Sequence, residues 1–550
     1  MAQQGTVAHW IGTALARDAG VRTVFGVVGS GNFHVASALT SHGARFVAAR
    51  HEGGAAMMAD AYARVSGELG VLTVHQGPGL TNALTGLAEA AKSRTPLLVL
   101  AAEATQPTSN FYIDQAALAA AVGVLPDRVT AASTVAVDLR RAYRTALIER
   151  RTVLLSLPLD VQAQPFDDVP MPPVQVWPRL SPAPETVAEV ADALAAAKRP
   201  LFLAGRGARK SKAELKGLAE RAGALLATSA VAKGLFNGDP FNLDVSGGFA
   251  TPAAADLIKN ADLIIAWGCS LSMWTTRHGA LIGNQATVIQ VDANPGALGV
   301  HHAIGLGIPS DVGTAARALR AELDRRGQRQ EGYRTPAVAR RLAGERRWRD
   351  VPFEPDTEAG RIDPRTLTIA LDDLLPAERT VATDSGNFMG YPAMFLEVPD
   401  EAGFVFTQAF QSVGLGLGTA LGAAVARPDR LTVAALGDGG ALMGASELET
   451  AVRLGLGDLL IVVYNDEAYG AEVHHFGPHG DPLDNVRFPE TDLAAIARGH
   501  GYAAVTVRAS QDLAPVRSWL AGPRDRPMLI DAKVTRTRPS WWLEEAFRGH

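Results

Sequence analysis

Two stretches of the sequence combine residue types and spacings that can do chemistry. One is "AALGDGGALMGASELETAVRLGLGDLLIVVYND", residues 434–466. Running into it, "LTVAAL" (431–436) reads as a buried strand ending at Gly437-Asp438-Gly439, and "LLIVVY" as a second strand ending at Asn465, 27 positions after Asp438. A dinucleotide turn needs G-x-G-x-x-G, and an aspartate in its middle position would repel a pyrophosphate. A carboxylate and an amide oxygen at the ends of adjacent strands are hard oxygen donors. They suit Mg²⁺, which also takes oxygens from the diphosphate it carries. Gly437, Gly439 and Gly440 would let the backbone approach phosphate at a helix N-terminus, with the helix expected over "ALMGASELETAVRLG".

The other stretch is "RFVAARHEGGAAMMADAYARVSG", residues 45–67, in which Glu52 lies just past a strand end and opens a helix. On a solvated helix such a glutamate would do no more than favour the dipole. The small apolar run "GGAAMMA" points to burial instead, and a desolvated carboxyl is a proton-sharing group. Further along, His75 stands in "LTVHQGPG", 23 residues after Glu52, and imidazole titrates near neutrality.

Positioning these groups takes α/β architecture. Short apolar runs such as "VRTVFGVVG", "PLLVLAAE", "ADLIIAWG" and "PMLIDAKV" alternate with helical periodicity, the pattern of doubly wound parallel sheets. Two polar, proline-bearing segments, 163–185 and 324–364, divide the chain into domains near 1–162, 186–323 and 365–550. At 550 residues, 47% of them hydrophobic and 20% charged, the chain is long enough for several globular cores. A net charge of −5 gives no basic field for nucleic acid. The single cysteine, Cys269, excludes an intrachain disulfide and suits a reducing compartment. With neither a signal peptide nor an apolar run of membrane-spanning length, a soluble cytoplasmic protein is expected.

The Gly-Asp-Gly turn, the spacing to Asn465 and the Arg-His-Glu context of Glu52 resemble the thiamine diphosphate (ThDP) enzymes of the acetolactate synthase, benzoylformate decarboxylase and benzaldehyde lyase group. The resemblance covers essentially the whole chain, as a pyrimidine-binding domain, a middle domain and a diphosphate-binding domain. It implies that Asp438, Asn465 and the backbone carbonyl of Glu467 hold Mg²⁺. Gly439, Gly440, Asn387 and Phe388 would lie at the diphosphate. Leu415, in "FQSVGLGLGTALG", would be the apolar wedge that bends the cofactor. Glu52 would hydrogen-bond the aminopyrimidine ring and drive removal of the thiazolium proton. The resemblance also implies a homodimer or homotetramer, since Glu52 of one chain would meet the diphosphate site of its partner.

The reaction implied is cleavage or formation of the bond beside a carbonyl: decarboxylation of a 2-keto acid, with or without capture of an aldehyde acceptor to give an acyloin or acetohydroxy acid. His75 matches the histidine of benzoylformate decarboxylase and Ser30 its substrate-binding serine. Gln115, 63 residues after Glu52, matches the glutamine shared by acetolactate synthase and benzaldehyde lyase. Alternatives are a 2-hydroxyacyl-CoA lyase, an acyloin lyase of the benzaldehyde lyase type, or a non-catalytic scaffold of the same fold. Ser270 stands where acetolactate synthases place an arginine for FAD, so flavin is not expected, while coenzyme A remains open. The adjacent pairs His301-His302 and His474-His475, together with His278, could face substrate or solvent. Trp541 and Trp542 could form a lid or a subunit contact.

Overall fold

In the computed structural model, which describes residues 5–175 and 177–546, three six-stranded sheets follow one another along the chain. The first holds β1 (Thr23–Gly26), β2 (Arg45–Ala48), β3 (Gly70–Val74), β4 (Leu97–Glu103), β5 (Leu125–Arg128) and β6 (Thr152–Pro158), in the order β2-β1-β3-β4-β6-β5. The middle sheet holds β7 (Pro200–Ala204), β8 (Leu225–Thr228), β9 (Asn242–Val245), β10 (Leu263–Trp267), β11 (Thr287–Asp292) and β12 (Leu306–Pro309), in the order β9-β8-β7-β10-β11-β12. In the third are β13 (Arg379–Thr383), β14 (Phe404–Phe406), β15 (Leu431–Gly437), β16 (Leu459–Asn465), β17 (Ala503–Val507) and β18 (Met528–Lys533), ordered β14-β13-β15-β16-β18-β17. Every neighbouring pair in these sheets is parallel. The first and third sheets thus repeat one topology.

Central strands such as β3 and β16 are buried along their whole length, as expected of parallel strands covered by helices on both faces. In such sheets the order of strands reverses at one point, and ligands bind beyond the carboxyl ends there. That point lies between β1 and β3 in the first sheet and between β13 and β15 in the third.

Two local outcomes differ from the sequence expectation. The helix after the Gly-Asp-Gly turn starts at Asp438 itself and is broken in two, one piece over Asp438–Met443 (α5) and one over Glu447–Arg453 (α6). Gly444, a poor helix former, stands at the break. The polar segment 324–364 also carries structure, a helix over Pro336–Glu345 whose Thr335 cap accepts the Val338 amide at 3.3 Å. As for the tail, Trp542 is 1% exposed, 4.9 Å from the Tyr391 ring and 6.2 Å from Phe249. Arg277 lies 4.8 Å above Trp541. Both tryptophans therefore dock onto their own chain, between the middle and third domains.

The first and third domains meet through α1 (Glu52–Ser66), beside α2 (Pro78–Lys92) and α3 (Gln115–Ala121) in the first domain, and α4 (Gly416–Ala426) in the third. One apolar cluster runs through both domains, including Ala55, Met58, Leu417 and Leu421. The helices approach at glycine: a Cβ on Gly418 would stand 3.0 Å from the Gly54 carbonyl oxygen, and one on Gly422 would overlap that of Met58. A backbone oxygen cannot move aside as a side chain can. Gly422→Val is therefore expected to lower stability by about 1–3 kcal/mol, the usual cost of overpacking, read as a lower midpoint in thermal denaturation. A midpoint equal to that of the native chain would contradict this packing.

Candidate active site

The third sheet presents its polar groups at the carboxyl ends of β13, β15 and β16. Gly437 is paired with Tyr464 across β15 and β16, which sets Asp438 at the end of one strand beside Asn465 at the end of the next. Asn465 is 1% exposed; its Nδ2 donates to Asp531 Oδ1 at 2.8 Å, and its Oδ1 accepts from the Glu467 amide at 3.2 Å. Glu467 has a left-handed backbone, φ 57°, unusual for a residue with a Cβ. Its carboxylate is held by Arg361 and Arg536, and its carbonyl accepts from the Phe488 amide at 2.8 Å, leaving one lone pair.

A second carboxylate, Asp466, lies against Asp438. Burial raises the Asp438 carboxyl to about 6, helped by the nearby Glu467 charge and opposed by backbone amides and by the neighbouring Asp466 carboxyl. Burial, and then the Asp438 charge, push Asp466 well above the usual carboxylate range. Two desolvated carboxylates this close share a proton unless a cation lies between them.

Around this pair lies a cradle with little side-chain bulk. A Cβ on Gly439 would stand 2.9 Å from the Tyr469 ring, and one on Gly440 would overlap Asp384 Oδ2. Phe388 stacks on Tyr464 at 5.2 Å. Two buried amides have unused atoms here among the described residues: Asn387 Oδ1 and Gln408 Nε2. Asp384, fully buried and raised to about 6 by desolvation, accepts amides from Ser385 (2.8 Å), Gly414 (3.0 Å) and Leu415 (3.3 Å). It thereby ties down the loop entering α4. On that loop Leu415 is 8% exposed as the residue preceding the helix, whereas Val413 is 39% exposed with Cγ1 3.4 Å from a Cβ position on Gly440. Val413 is thus an apolar side chain beside the glycine cradle, while Leu415 packs inward.

The first domain gathers a second set. Glu52 opens α1 at the end of β2, with Oε2 accepting from Asn82 Nδ2 at 3.0 Å and Oε1 3.5 Å from a Cβ position on Gly79. α1 is buried from Ala55 onward, yet Glu52 itself is only half-buried within this chain, where the sequence pattern had pointed to full burial. Behind the same Gly79, the His75 Cβ lies 3.2 Å from that position. The His75 ring packs against Gly29, next to the exposed Ser30, and lies 5.1 Å from Phe111. Its Nδ1 faces Gln76, accepting the backbone amide at 2.9 Å in one tautomer or donating to the side-chain Oε1 in the other, so Nε2 is turned away from this contact. Gln115 does not join the group: it is 3% exposed, with Nε2 donating to the Ala102 carbonyl at 2.7 Å and Oε1 accepting from Ser156 at 3.2 Å. His474 and His475 are half-buried on a helix over Gly470–Phe476, α7. His278 and His301 are exposed, as is Ser270, while His302 is half-buried.

Three family profiles match in order along the chain: the N-terminal TPP-binding domain of thiamine pyrophosphate enzymes over residues 5–121, the central domain over 187–319, and the C-terminal TPP-binding domain over 384–532. The chain belongs to the thiamine pyrophosphate enzymes. It is 31% identical to a "Probable 2-ketoarginine decarboxylase" of Pseudomonas aeruginosa, over 91% of this chain and 89% of the relative. A sulfoacetaldehyde acetyltransferase of Rhodobacter capsulatus is 28% identical over 90% and 88% of the two chains. A catabolic acetolactate synthase of Raoultella terrigena is 28% identical over 90% and 89%. The three parallel-sheet domains are those of this enzyme family.

The residues present fit the family's cofactor. Glycines 439 and 440 leave room beside a helix N-terminus, and the unpaired Gln408 Nε2 is a donor of the kind a diphosphate accepts from. Sequence reasoning passed over Asp384, Gln408, Val413 and Asp466. For Asp466 a signal was there to read, since it is the acid directly after the strand-end Asn465.

The Asp438 shift has a definite sign. A carboxyl raised to about 6 is neutral below that pH, and a proton there competes with a cation. Mg²⁺ binding measured calorimetrically in the presence of ThDP is expected to weaken by about tenfold per pH unit below about pH 6. Affinity unchanged between pH 5 and pH 7.5 would contradict the arrangement.

Proposed function

We propose that the enzyme decarboxylates a 2-keto acid and either protonates the product or joins it to an aldehyde or ketone acceptor. The observation that carries this reading is the occurrence, in one chain, of both half-sites. One is an oxygen-donor set on the third sheet, and the other pairs the Glu52 carboxyl with a histidine on the first. Decarboxylase, acetolactate synthase and acetyltransferase among the relatives' names support it.

Asp438, Asn465 Oδ1 and the free lone pair of the Glu467 carbonyl would hold Mg²⁺, a hard ion suited to these donors. Asp466 lies near enough to orient them or replace one. Gly437, Gly439, Gly440, Asn387 and Phe388 would take the diphosphate, and Val413 would support the bend assigned above to Leu415. Bound ThDP supplies an electron sink at its thiazolium carbon for the pair released when the C–C bond breaks. Glu52 would share a proton with the aminopyrimidine ring nitrogen. His75 would deliver and accept protons at Nε2, and Ser30 would contact substrate. Gln115, with both ends of its amide occupied, would hold the wall of this pocket rather than the substrate.

The two half-sites also argue for a homodimer. Among the described residues, the hydrogen bond of Glu52 stays within the first domain, and its carboxyl is half-exposed. Val28, Phe33, Phe111 and Tyr112 of the first domain and Phe410, Val413 and Met443 of the third are exposed in the single chain. Apolar exposure on this scale marks a contact surface. A second copy laid across by a two-fold axis would cover both faces and bring each Glu52 to the partner's metal site. A homotetramer would be built from two such dimers. Among the described residues, no helix is long and apolar enough to cross a membrane. The lone buried cysteine suits a cytoplasmic enzyme.

With ThDP and Mg²⁺, CO₂ release is expected from at least one acid in a panel of pyruvate, branched 2-keto acids, benzoylformate and 2-ketoarginine. Glu52→Gln should abolish it, and His75→Ala should slow it by about a hundredfold or more. Aldehyde product would identify a decarboxylase and acyloin product a carboligase. No release from any acid by cofactor-loaded enzyme would overturn the decarboxylase reading in favour of acyloin or acyl-CoA lyase chemistry.

A further inference from the structure

Helix α6 of the third domain braces the connection that delivers Glu52 in the first. Glu447, 2% exposed, accepts the Arg50 amide at 3.1 Å and the His51 amide at 2.9 Å on Oε1, and the Thr450 hydroxyl at 2.6 Å on Oε2. Beside it, Arg453 donates to the Ala48 carbonyl at 2.6 Å, and Glu449 pairs with the Arg50 side chain at 2.6 Å. A Cβ on Gly54 would stand 2.5 Å from Glu447 Oε1, so the carboxylate sits directly on the first turn of α1. His51 meanwhile caps that turn with Nδ1, accepting the Gly53 amide at 3.0 Å.

The amides of Arg50 and His51 immediately precede Glu52. Either would be an unsatisfied donor without an acceptor in reach, and a charged acceptor at a helix N-terminus is held more firmly than a neutral one. The broken helix makes this possible: the interruption at Gly444 separates the Asp438 turn from α6 and lets α6 meet the first domain on its own axis.

We infer that Glu447 is a positioning residue, setting the direction in which Glu52 presents its carboxyl to the cofactor. It touches neither cofactor nor substrate. The inference rests on the role proposed for Glu52.

The test is the exchange of the C2 proton of bound ThDP into D₂O, quenched in acid and read by NMR, on the full chain with saturating ThDP and Mg²⁺. Glu447→Gln keeps the size but removes the charge and leaves one acceptor oxygen for the two amides and the Thr450 hydroxyl. It is expected to slow C2 exchange by roughly tenfold to a hundredfold, the cost of a misplaced reacting group. ThDP affinity by calorimetry should change less than about threefold, because the diphosphate site is untouched. In the cofactor-free protein, hydrogen exchange at the Arg50 and His51 amides should quicken. Glu449→Gln, which alters an exposed pair, should stay within about twofold of the native rate. Thr450→Val, which frees Oε2 without removing the carboxylate, should give an intermediate slowing and serves if Glu447→Gln does not fold. Native C2 exchange in folded Glu447→Gln would overturn the inference, as would a loss confined to ThDP affinity. Glu52→Gln separates the two levels. If it exchanges slowly while Glu447→Gln exchanges at the native rate, only the positioning role fails. If Glu52→Gln also exchanges at the native rate, the role of Glu52 fails and this inference with it.

Discussion

The contact between α1 and α4 sets the geometry of everything described above. The two helices approach closely enough that glycine is required at 418 and 422, and backbone carbonyls occupy the space a side chain would need. Interiors packed to this density deform little. The first domain is therefore held at one angle to the third. Because the two sheets share a topology, the contact relates two similar bodies, each with its polar groups at the carboxyl ends of its strands. Buried polar links reinforce it. Arg64 bonds to the Phe406 carbonyl at 3.1 Å, and Glu89 accepts the Phe410 amide at 2.7 Å. Glu447 adds its own pair of amides from the third-domain side.

The electrostatics of the third-domain site follow from burial. Asp384, Asp438 and Asp466 all lie in low-dielectric surroundings and all are raised, but they differ in what surrounds them. Asp384 is satisfied by backbone amides and organises a loop. Asp438 and Asp466 face one another, and each penalises the other's charge. Two acids that penalise each other's charge in this way favour a divalent cation between them, which supports the Mg²⁺ site proposed above.

Much of this was legible in the sequence because strand, turn and helix signals agreed. Runs such as "LLIVVY" and "PLLVLAAE" carry β-branched and apolar residues that only a buried parallel strand uses well. The residues just past their ends, Glu52, His75, Asp438 and Asn465, fall where such sheets place polar groups. What could not be read depends on distance along the chain or on small rotations of a side chain. The Glu447–His51 bond spans 396 positions and leaves no local pattern. Leu415 and Val413 are both apolar residues of one loop, and only the fold shows that the first is buried and the second lies at the cradle. Gln115 looks polar and accessible in sequence, yet the fold occupies both ends of its amide. The break at Gly444 had a local signal in the glycine itself, but the apolar and helix-forming residues on either side read as one continuous helix.

In the proposed dimer each active site joins Glu52 of one chain to Asp438 of another, and complementation measures this directly. Glu52→Gln and Asp438→Ala are each expected to be inactive alone. After the two are mixed, dissociated and reassembled, half the dimers carry one variant of each kind, and one of their two sites has both native residues. Recovery of about a quarter of native CO₂ release is the predicted result for a two-fold dimer. A reassembled mixture as inactive as its components would show that each chain builds its site alone, and would contradict the claim.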